Sequence, residues 1–392
     1  MIARLVQQPE KYSFFLFGPR GTGKTTLLET WYDKTDSKVL YIDLLDPEVE
    51  ENYQRNPNLL KEKINENQKL QKVIVDEIQK IPQLLDVIHS CIEKYKKLQF
   101  VMTGSSARKI KRGSGNLLGG RAFSLRLHPF TFLEAPNNAN LLEMLSWGTL
   151  PKIFEFKNDT DRTRFLRSYC NTYLKEEIQL EQIARNINSF RQFLELAAQC
   201  SGEILNFNNI ASQSGIDDKT VARYFEVLTD TMIGFMLEHY DESVRSRQSQ
   251  KPKFYLFDTG VLRYLTQFHT VPLVKGSSEY GKLFEQFIVS ECFRLNDYFE
   301  KDFKFYYLRT KDGAEIDLIV KLNPKDKILI EIKSTNKITD ADFRHLRGLS
   351  ADIKHIEKWV LCDEKSPRKT DDGIRVLPWR LGLSELFGLK SK

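Results

Sequence analysis

The sequence predicts an α/β protein: a nucleotide-binding core with a parallel sheet, a helical module, and a second α/β domain at the C-terminal end. Three observations predict it. The apolar run "SFFLF" leads into Gly18-x-x-x-x-Gly23-Lys24-Thr25 and then a helical pattern. Further on, the buried-type strand "KVIVD" ends in Asp76 and is followed by Glu77. Near the C-terminal end, "AEIDLIVKL" and "KILIEIKST" read as paired strands that carry Asp317, Glu331 and Lys333 within apolar runs.

At 392 residues the chain exceeds one ordinary core and predicts roughly two to four domains. Hydrophobic residues make up 41% and charged residues 29%, a globular balance. No stretch has the apolar length of a membrane span, and the N-terminal run enters the first motif without a cleavable signal pattern. Five cysteines, Cys91, Cys170, Cys200, Cys292 and Cys362, lack disulfide or metal-ligand spacing, so they are expected to be reduced thiols in a cytoplasmic protein. A net charge of +6 permits contact with nucleic acid and equally fits a solvated surface. The expected divisions are residues 1–136, 137–188, 189–272 and 273–392.

The first motif is a phosphate-binding loop for ATP, spanning Gly18, Pro19, Arg20, Gly21, Thr22, Gly23, Lys24, Thr25 and Thr26. Glycines let backbone N–H groups turn inward, and the following helix N-terminus adds positive potential. Lys24 is expected at the β- and γ-phosphates and the Thr25 hydroxyl on Mg²⁺. Asp76, at the end of a parallel strand, would hold the same Mg²⁺, and Glu77 would orient and deprotonate the attacking water. The blander reading of that acid pair is a helix cap. A third strand, "QFVMTGSS", ends in hydroxyl residues. Thr103 or Ser105 is expected to contact the γ-phosphate or the water, although such residues are also ordinary at turns.

Loop, acid pair and polar strand, in that order, resemble the AAA+ ATPases. The resemblance continues into "ARKIKRGSGNLLGGRAFSLRLHPFTFLE" and implies that Arg121 reaches the ATP of a neighbouring subunit. A guanidinium there would stabilise charge spreading over the transferring phosphoryl group. Turnover would then require a homo-oligomer, ring-like by that resemblance. The alternative is a surface arginine paired with a neighbouring acid.

The span 137–188 reads as a connecting helical layer without chemistry of its own, entered through the turn "GTLPKIF". In "FNNIASQSGIDDKTVARYFEVL" a helix with Ile210 and Ala211 inward is expected to end at Gly215. A second helix, capped by Asp217 or Asp218, buries Val221, Phe225 and Leu228 and leaves Lys219, Thr220 and Arg223 outward. This spacing resembles a helix-turn-helix. The strands "GFMLEHY" and "KFYLFD" flank a wing with Arg245, Arg247 and Lys251. A winged helix of this kind places cations on DNA phosphates or serves as a protein spacer.

In the last third, period-two alternation puts Glu315 and Asp317 on one face, with Ile316, Leu318 and Val320 on the other. The turn "NPKDK" returns the chain so that Asp317 comes near Glu331, while Glu331 and Lys333 share a face. The preceding helix has an apolar stripe of Phe284, Phe287, Ile288, Cys292 and Leu295, bordered by Glu285. Glu285, Asp317 and Glu331 are therefore expected to converge as oxygen ligands for Mg²⁺ or Mn²⁺, with Lys333 orienting the nucleophile or neutralising phosphate charge. Glu-x-Lys alone is also common surface decoration. With Asp317 and Glu285 in order, the set resembles the PD-(D/E)XK nucleases of the restriction-endonuclease-like fold, some of which bind without cutting.

The full order is similar to prokaryotic AAA-type ATPases carrying a C-terminal winged helix and a nuclease-like end. "LLGGRAFSLRLHPFTFLE", "GTLP", "KFYLFDTGVLRYL", "GKLFEQFIVSE", "AEIDLIV" and "IEIKS" stand where that family has its motifs. Three functions follow as expectations: an oligomeric ATPase that acts on DNA and cuts it, a DNA-binding motor whose nuclease-like domain only grips, or a nucleotide-dependent switch that recruits a protein.

Overall fold

A computed structural model describes residues 2–105, 119–173, 187–241, 250–350 and 353–389. The helical segment expected just before Arg121 and the wing arginines Arg245 and Arg247 lie outside these residues.

The N-terminal sheet is wholly parallel, in the order β2-β3-β4-β1-β5. Its strands are β1 (Ser13–Phe17), β2 (Val39–Asp43), β3 (Lys72–Asp76), β4 (Gln99–Gly104) and β5 (Ala122–Arg126). Burial on both faces explains the near-continuous apolar runs of β1, β3 and β4, whereas the flanking β2 and β5 are partly exposed. Phe15, Phe17, Val73, Val75, Phe100 and Met102 fill one face, and Phe14, Leu16, Ile74 and Val101 the other. The helices α1 (Lys24–Trp31), α2 (Pro47–Arg55), α3 (Leu59–Glu66) and α4 (Leu84–Lys94) pack around it. Because β1, β3 and β4 are adjacent or next neighbours and parallel, their carboxyl ends deliver Gly18, Asp76 and Gly104 to one edge of the sheet.

The middle of the chain contains α5 (Leu141–Trp147), α6 (Asp159–Ser168), α7 (Ile187–Gln199), α8 (Phe207–Ser214), α9 (Asp218–Asp230) and α10 (Thr259–Leu265). Gly215 ends α8 in the left-handed region at φ 68°, and the Asp217 side chain caps α9 by accepting from the Thr220 N–H. Val221, Phe225 and Leu228 are buried, while Lys219 and Arg223 are exposed, as the spacing predicts. The motif "GTLP" has a steric basis. Gly148 lies at φ +79°, and a Cβ there would stand 2.0 Å from Asp258 Oδ1. That carboxylate accepts from the Thr149 N–H at 2.7 Å while also capping α10.

β6 (Gly234–His239) and β7 (Lys253–Leu256) form the antiparallel hairpin that follows α9. The hairpin is not confined to the helical module. β6 pairs with β8 (Lys304–Arg309), so an eight-stranded sheet crosses the division expected at residue 272. Its order is β12-β13-β11-β10-β9-β8-β6-β7, with β9 (Glu315–Lys321), β10 (Lys327–Ile332), β11 (Ile356–Cys362), β12 (Arg368–Lys369) and β13 (Arg375–Pro378). α11 (Ser278–Tyr298) and α13 (Trp379–Phe387) cover one face with Phe284, Phe287, Ile328, Ile330 and Leu383. α12 (Arg344–Ser350) covers the other with Leu329, Leu346 and Val360. No helix among the described residues is long and apolar enough to cross a membrane.

α11 is the fastening element. Its buried Arg294 donates to the carbonyls of Phe130 at 3.0 Å and Phe257 at 2.6 Å and to the Thr149 hydroxyl at 3.0 Å. Glu291, 3.1 Å from Arg294, accepts from the Phe132 N–H at 2.9 Å. Burial raises the Glu291 carboxyl to about 7. One ion pair thus joins the segment after β5, the helical module and the C-terminal sheet. Glu291→Ala would leave Arg294 buried without its counter-charge and should cost about 3–5 kcal/mol of stability. Urea unfolding followed by circular dichroism measures it.

Candidate functional site

Two polar centres stand out, one at each end of the molecule's sequence. At the first, Gly21 and Gly23 take φ of +81° and +91°, and a Cβ on Gly18 would lie 2.2 Å from the Leu127 carbonyl. The loop therefore requires glycine at these positions for conformation and for close approach. Lys24 is buried, and its Nζ donates to the Gly18 carbonyl at 2.7 Å and the Pro19 carbonyl at 3.4 Å. Thr22 closes the turn through its hydroxyl on the Pro19 carbonyl at 2.8 Å.

The acid pair meets this loop. Asp76 is fully buried, and its Oδ2 accepts from the Thr25 hydroxyl at 2.9 Å and the Tyr41 hydroxyl at 3.1 Å. Thr25 and Asp76 thus stand side by side where Mg²⁺ would be held, a donor set of hard oxygens that fits it. The fully buried Thr103 hydroxyl donates to Asp76 Oδ1 and accepts from the Glu77 N–H at 3.0 Å. It holds both acids, Asp76 through its proton and Glu77 through its oxygen. Ser105 accepts from Gln79, whose amide also donates to the Glu77 carboxylate. Glu77 itself has φ 61°, a strained conformation for a non-glycine residue.

Further contacts that sequence reasoning missed hold the loop from outside. Arg4 donates to the Thr22 carbonyl at 2.7 Å, to Glu134 at 2.9 Å and to the Tyr298 hydroxyl at the end of α11 at 3.0 Å. The Tyr169 hydroxyl donates to the Arg20 carbonyl at 2.8 Å, with its ring over Gly21. Thr26 is exposed on α1, and Pro19 is buried. Arg121 lies far from its own loop: Ala122 pairs with Ser13, so Arg121 sits at the amino end of the sheet. There it makes an exposed ion pair with Glu93 of α4.

At the second centre a bulge sets the geometry. Tyr306 pairs with Ile319 but Leu308 pairs with Ile316, so β9 has one residue more than β8 between these points. Ile316 and Ile319 both pack on α12's face, whereas Leu318 and Val320 pack on α11's. This corrects the strict alternation expected for Ile316, Leu318 and Val320. The bulge sets Glu315, the neighbour of Ile316, on the face where Lys253 and Glu285 stand. The β9–β10 register, carried one residue past Ile330 opposite Leu318, sets Glu331 opposite Asp317. Asp317 Oδ2 accepts from the Ile332 N–H at 2.7 Å, and Lys333 Nζ donates to Glu331 Oε1 at 2.6 Å. Glu331 is buried, and among the described residues its Oε2 has no hydrogen-bond partner. Burial first, then the Glu331 and Glu285 charges, hold the Asp317 carboxyl well above the usual range. Burial also raises Glu331, against the opposing pull of Lys333. Burial works against the Lys333 charge, but Glu331 and Asp317 raise its pKa on balance.

Glu285 is where the expected convergence of three ligands breaks down. Among the described residues no three His, Cys, Asp or Glu side chains stand together as a metal-holding group. Glu285 Oε1 accepts from the Tyr255 hydroxyl at 2.7 Å and lies 3.5 Å from Lys253 Nζ. Lys253 also bonds Glu315. The reason is a buried lysine on β7. Its period-two relation to Tyr255 was the readable signal, hidden by its place beside the wing. Asp317 and Glu331 remain a pair that fits one divalent cation, since both favour a proton and Glu331 Oε2 is unpartnered.

Residues 10–135 match the family model described as an AAA domain. That match supports a nucleotide-binding, AAA-type P-loop domain in the N-terminal third. Residues 138–271 and 280–381 match two models described as domains of unknown function, DUF8612 and DUF4143. Among curated proteins, the chain is 24% identical over 283 residues to the uncharacterized protein Rv2008c of Mycobacterium tuberculosis, covering 72% of this chain and 62% of that protein. It is 20% identical over 390 residues to an uncharacterized protein of Haemophilus influenzae, covering 92% and 91%. With uncharacterized protein MJ1637 of Methanocaldococcus jannaschii it shares 22% over 431 aligned positions, covering 97% and 86%. Among solved structures, AMPPCP-bound DnaA from Aquifex aeolicus overlaps with TM-score 0.27 at 13% identity, covering 57% of this chain and 83% of that one. DnaA bound to AMPPCP and single-stranded DNA overlaps with TM-score 0.27 at 14%, covering 56% and 82%. Overlaps this loose set no residue correspondences.

Proposed function

We propose that this protein hydrolyses ATP to act on DNA and that its C-terminal centre is a divalent-dependent, nuclease-like site. The observation that carries the first half is the Thr25–Asp76 contact of 2.9 Å beside a glycine-dependent loop, with Glu77 held next to it. Lys24 would leave the loop carbonyls for the β- and γ-phosphates, and Glu77 would take the proton of the attacking water. Mg²⁺ on Thr25 and Asp76 would neutralise phosphate charge. Arg121 stands in an exposed pair with Glu93 at the opposite end of the sheet from its own loop, which supports action on a neighbouring subunit rather than its own. We assign it that role in a homo-oligomer.

The second half rests on Asp317, Glu331 and Lys333. Two buried carboxylates with raised proton affinity and one unpartnered oxygen favour a bound cation. Such a cation would polarise a water and steady a phosphodiester. Lys333 would neutralise charge on that phosphate. Exposed Lys219 and Arg223 on α9 support contact with the DNA backbone. A second reading, DNA gripping without cleavage, is favoured by the engagement of Glu285 with Lys253 and Tyr255.

The test incubates linear, branched and single-stranded DNA with Mg²⁺ or Mn²⁺, with and without ATP, reading cleavage and phosphate release together. Lys24→Ala should abolish turnover, and Asp317→Ala should abolish cleavage. DNA-stimulated turnover without cleavage selects the second reading. Cleavage equal in wild type and Asp317→Ala, or turnover indifferent to every DNA, rejects the corresponding half.

A further inference from the structure

Lys253 and Tyr255 belong to β7, yet they serve a site built on other strands. Phe254 and Leu256, the alternate residues, pack in the core of the helical module. Lys253 and Tyr255 point the opposite way, onto Glu285 and Glu315. Lys253 is only 4% exposed, bonds Glu315, stands 3.5 Å from Glu285 Oε1 and lies 5.5 Å from the centre of the Tyr307 ring. Arg309 adds a contact to Glu315 at 3.4 Å. Positive charge is therefore supplied on the Glu285–Glu315 side. Closer to the pair, Lys333 donates to Glu331, His345 of α12 also acts on Glu331 and Lys253 on Asp317, and among the described residues Glu331 Oε2 has no hydrogen-bond partner. A buried ammonium between two carboxylates does locally what a cation would do, and it keeps them from a second cation.

We propose that Lys253 and Tyr255 are positioning residues that occupy the Glu285 carboxylate, so that the centre binds a divalent cation on two carboxylates, Asp317 and Glu331, rather than three. This rests on the reading of the centre as a divalent site. β7 is held on both sides, by β6 over four residues and by the 201–205 segment, whose Gly202 N–H donates to the Phe254 carbonyl at 2.7 Å, so the hold on Glu285 is built into the fold. The helical module and the C-terminal centre are thereby linked through one strand.

Mn²⁺ titrated calorimetrically into the full chain tests this. Lys253→Met should bind Mn²⁺ about tenfold more tightly than wild type, Lys253→Arg should stay near wild type, and Lys253→Met/Glu285→Gln should lose the gain. Tyr255→Phe keeps the ring packing and removes only the hydroxyl on Glu285. It should tighten binding about two- to threefold even if Lys253→Met fails to fold. Binding by wild type with no gain in either Lys253→Met or Tyr255→Phe overturns the proposal and leaves the divalent reading standing. No binding by any form overturns both.

Discussion

Glu77→Gln is expected to lower ATP turnover by about 10²–10⁴-fold while ATP still binds. Glutamine keeps the shape of the side chain and its contact with the Gln79 amide, but it cannot take a proton. Nothing that holds the phosphates depends on that carboxylate, since the loop glycines, Lys24 and Thr25 lie on a different element. Glu77 is also unusual in its backbone. A non-glycine residue at φ 61° costs on the order of 1–3 kcal/mol unless its surroundings hold it there. Here the Thr103 hydroxyl takes its N–H, Gln79 takes its carboxylate, and Thr103 in turn is bound to Asp76. That conformation places the acid beside the strand end rather than along it. Phosphate release and binding of a fluorescent ATP analogue, measured on the same preparation, separate the two effects. Turnover retained in Glu77→Gln would remove Glu77 as the base.

Asp317→Asn should abolish divalent-dependent DNA cleavage and yet stabilise the metal-free protein at pH 8 by on the order of 1 kcal/mol. Asparagine keeps an oxygen for the Ile332 N–H and removes one of the charges that burial and Glu331 oppose. The sign follows from the direction of the shifts. Asp317 and Glu331 have folded pKa values above their unfolded ones. Their stabilising contribution is complete below the unfolded carboxylate value of about 4 and is lost as pH rises through the raised folded values. Metal-free wild type should therefore lose stability from mild acid toward pH 8. Mn²⁺ competes with those protons and should stabilise wild type more at pH 8 than at pH 5.5, and Asp317→Asn little at either. Urea midpoints at the two pH values, with and without Mn²⁺, decide it. A larger Mn²⁺ effect at pH 5.5 would contradict the assignment.

The two centres differed in how legible they were. The loop from Gly18 to Thr26, the strand ending in Asp76, and the α9 stripe of Val221, Phe225 and Leu228 follow from local rules: glycine freedom, apolar runs, capping and helical period. Those rules act within a few residues, so the chain itself displays them. Thr103 stands at the end of β4, as the strand pattern implies. Only the pairing of β3 with β4 decides that its hydroxyl faces the acids.

By itself, then, the sequence determined that there is a phosphate-binding loop, an acid pair one strand away, a capped helix pair and a late hairpin bearing Asp317, Glu331 and Lys333. Tertiary structure decided which of these side chains meet. The bulge in β9 put Ile316 and Leu318 on opposite faces, a change no period-two count contains. Lys253 reached Glu315 across 62 residues, and Arg4 reached Tyr298 across 294. Such contacts depend on strand order, on one extra residue in a ladder and on the burial of charge against charge. Each is settled only when distant segments pack, and for that reason the partners of Glu285 were absent from its own neighbourhood in the chain.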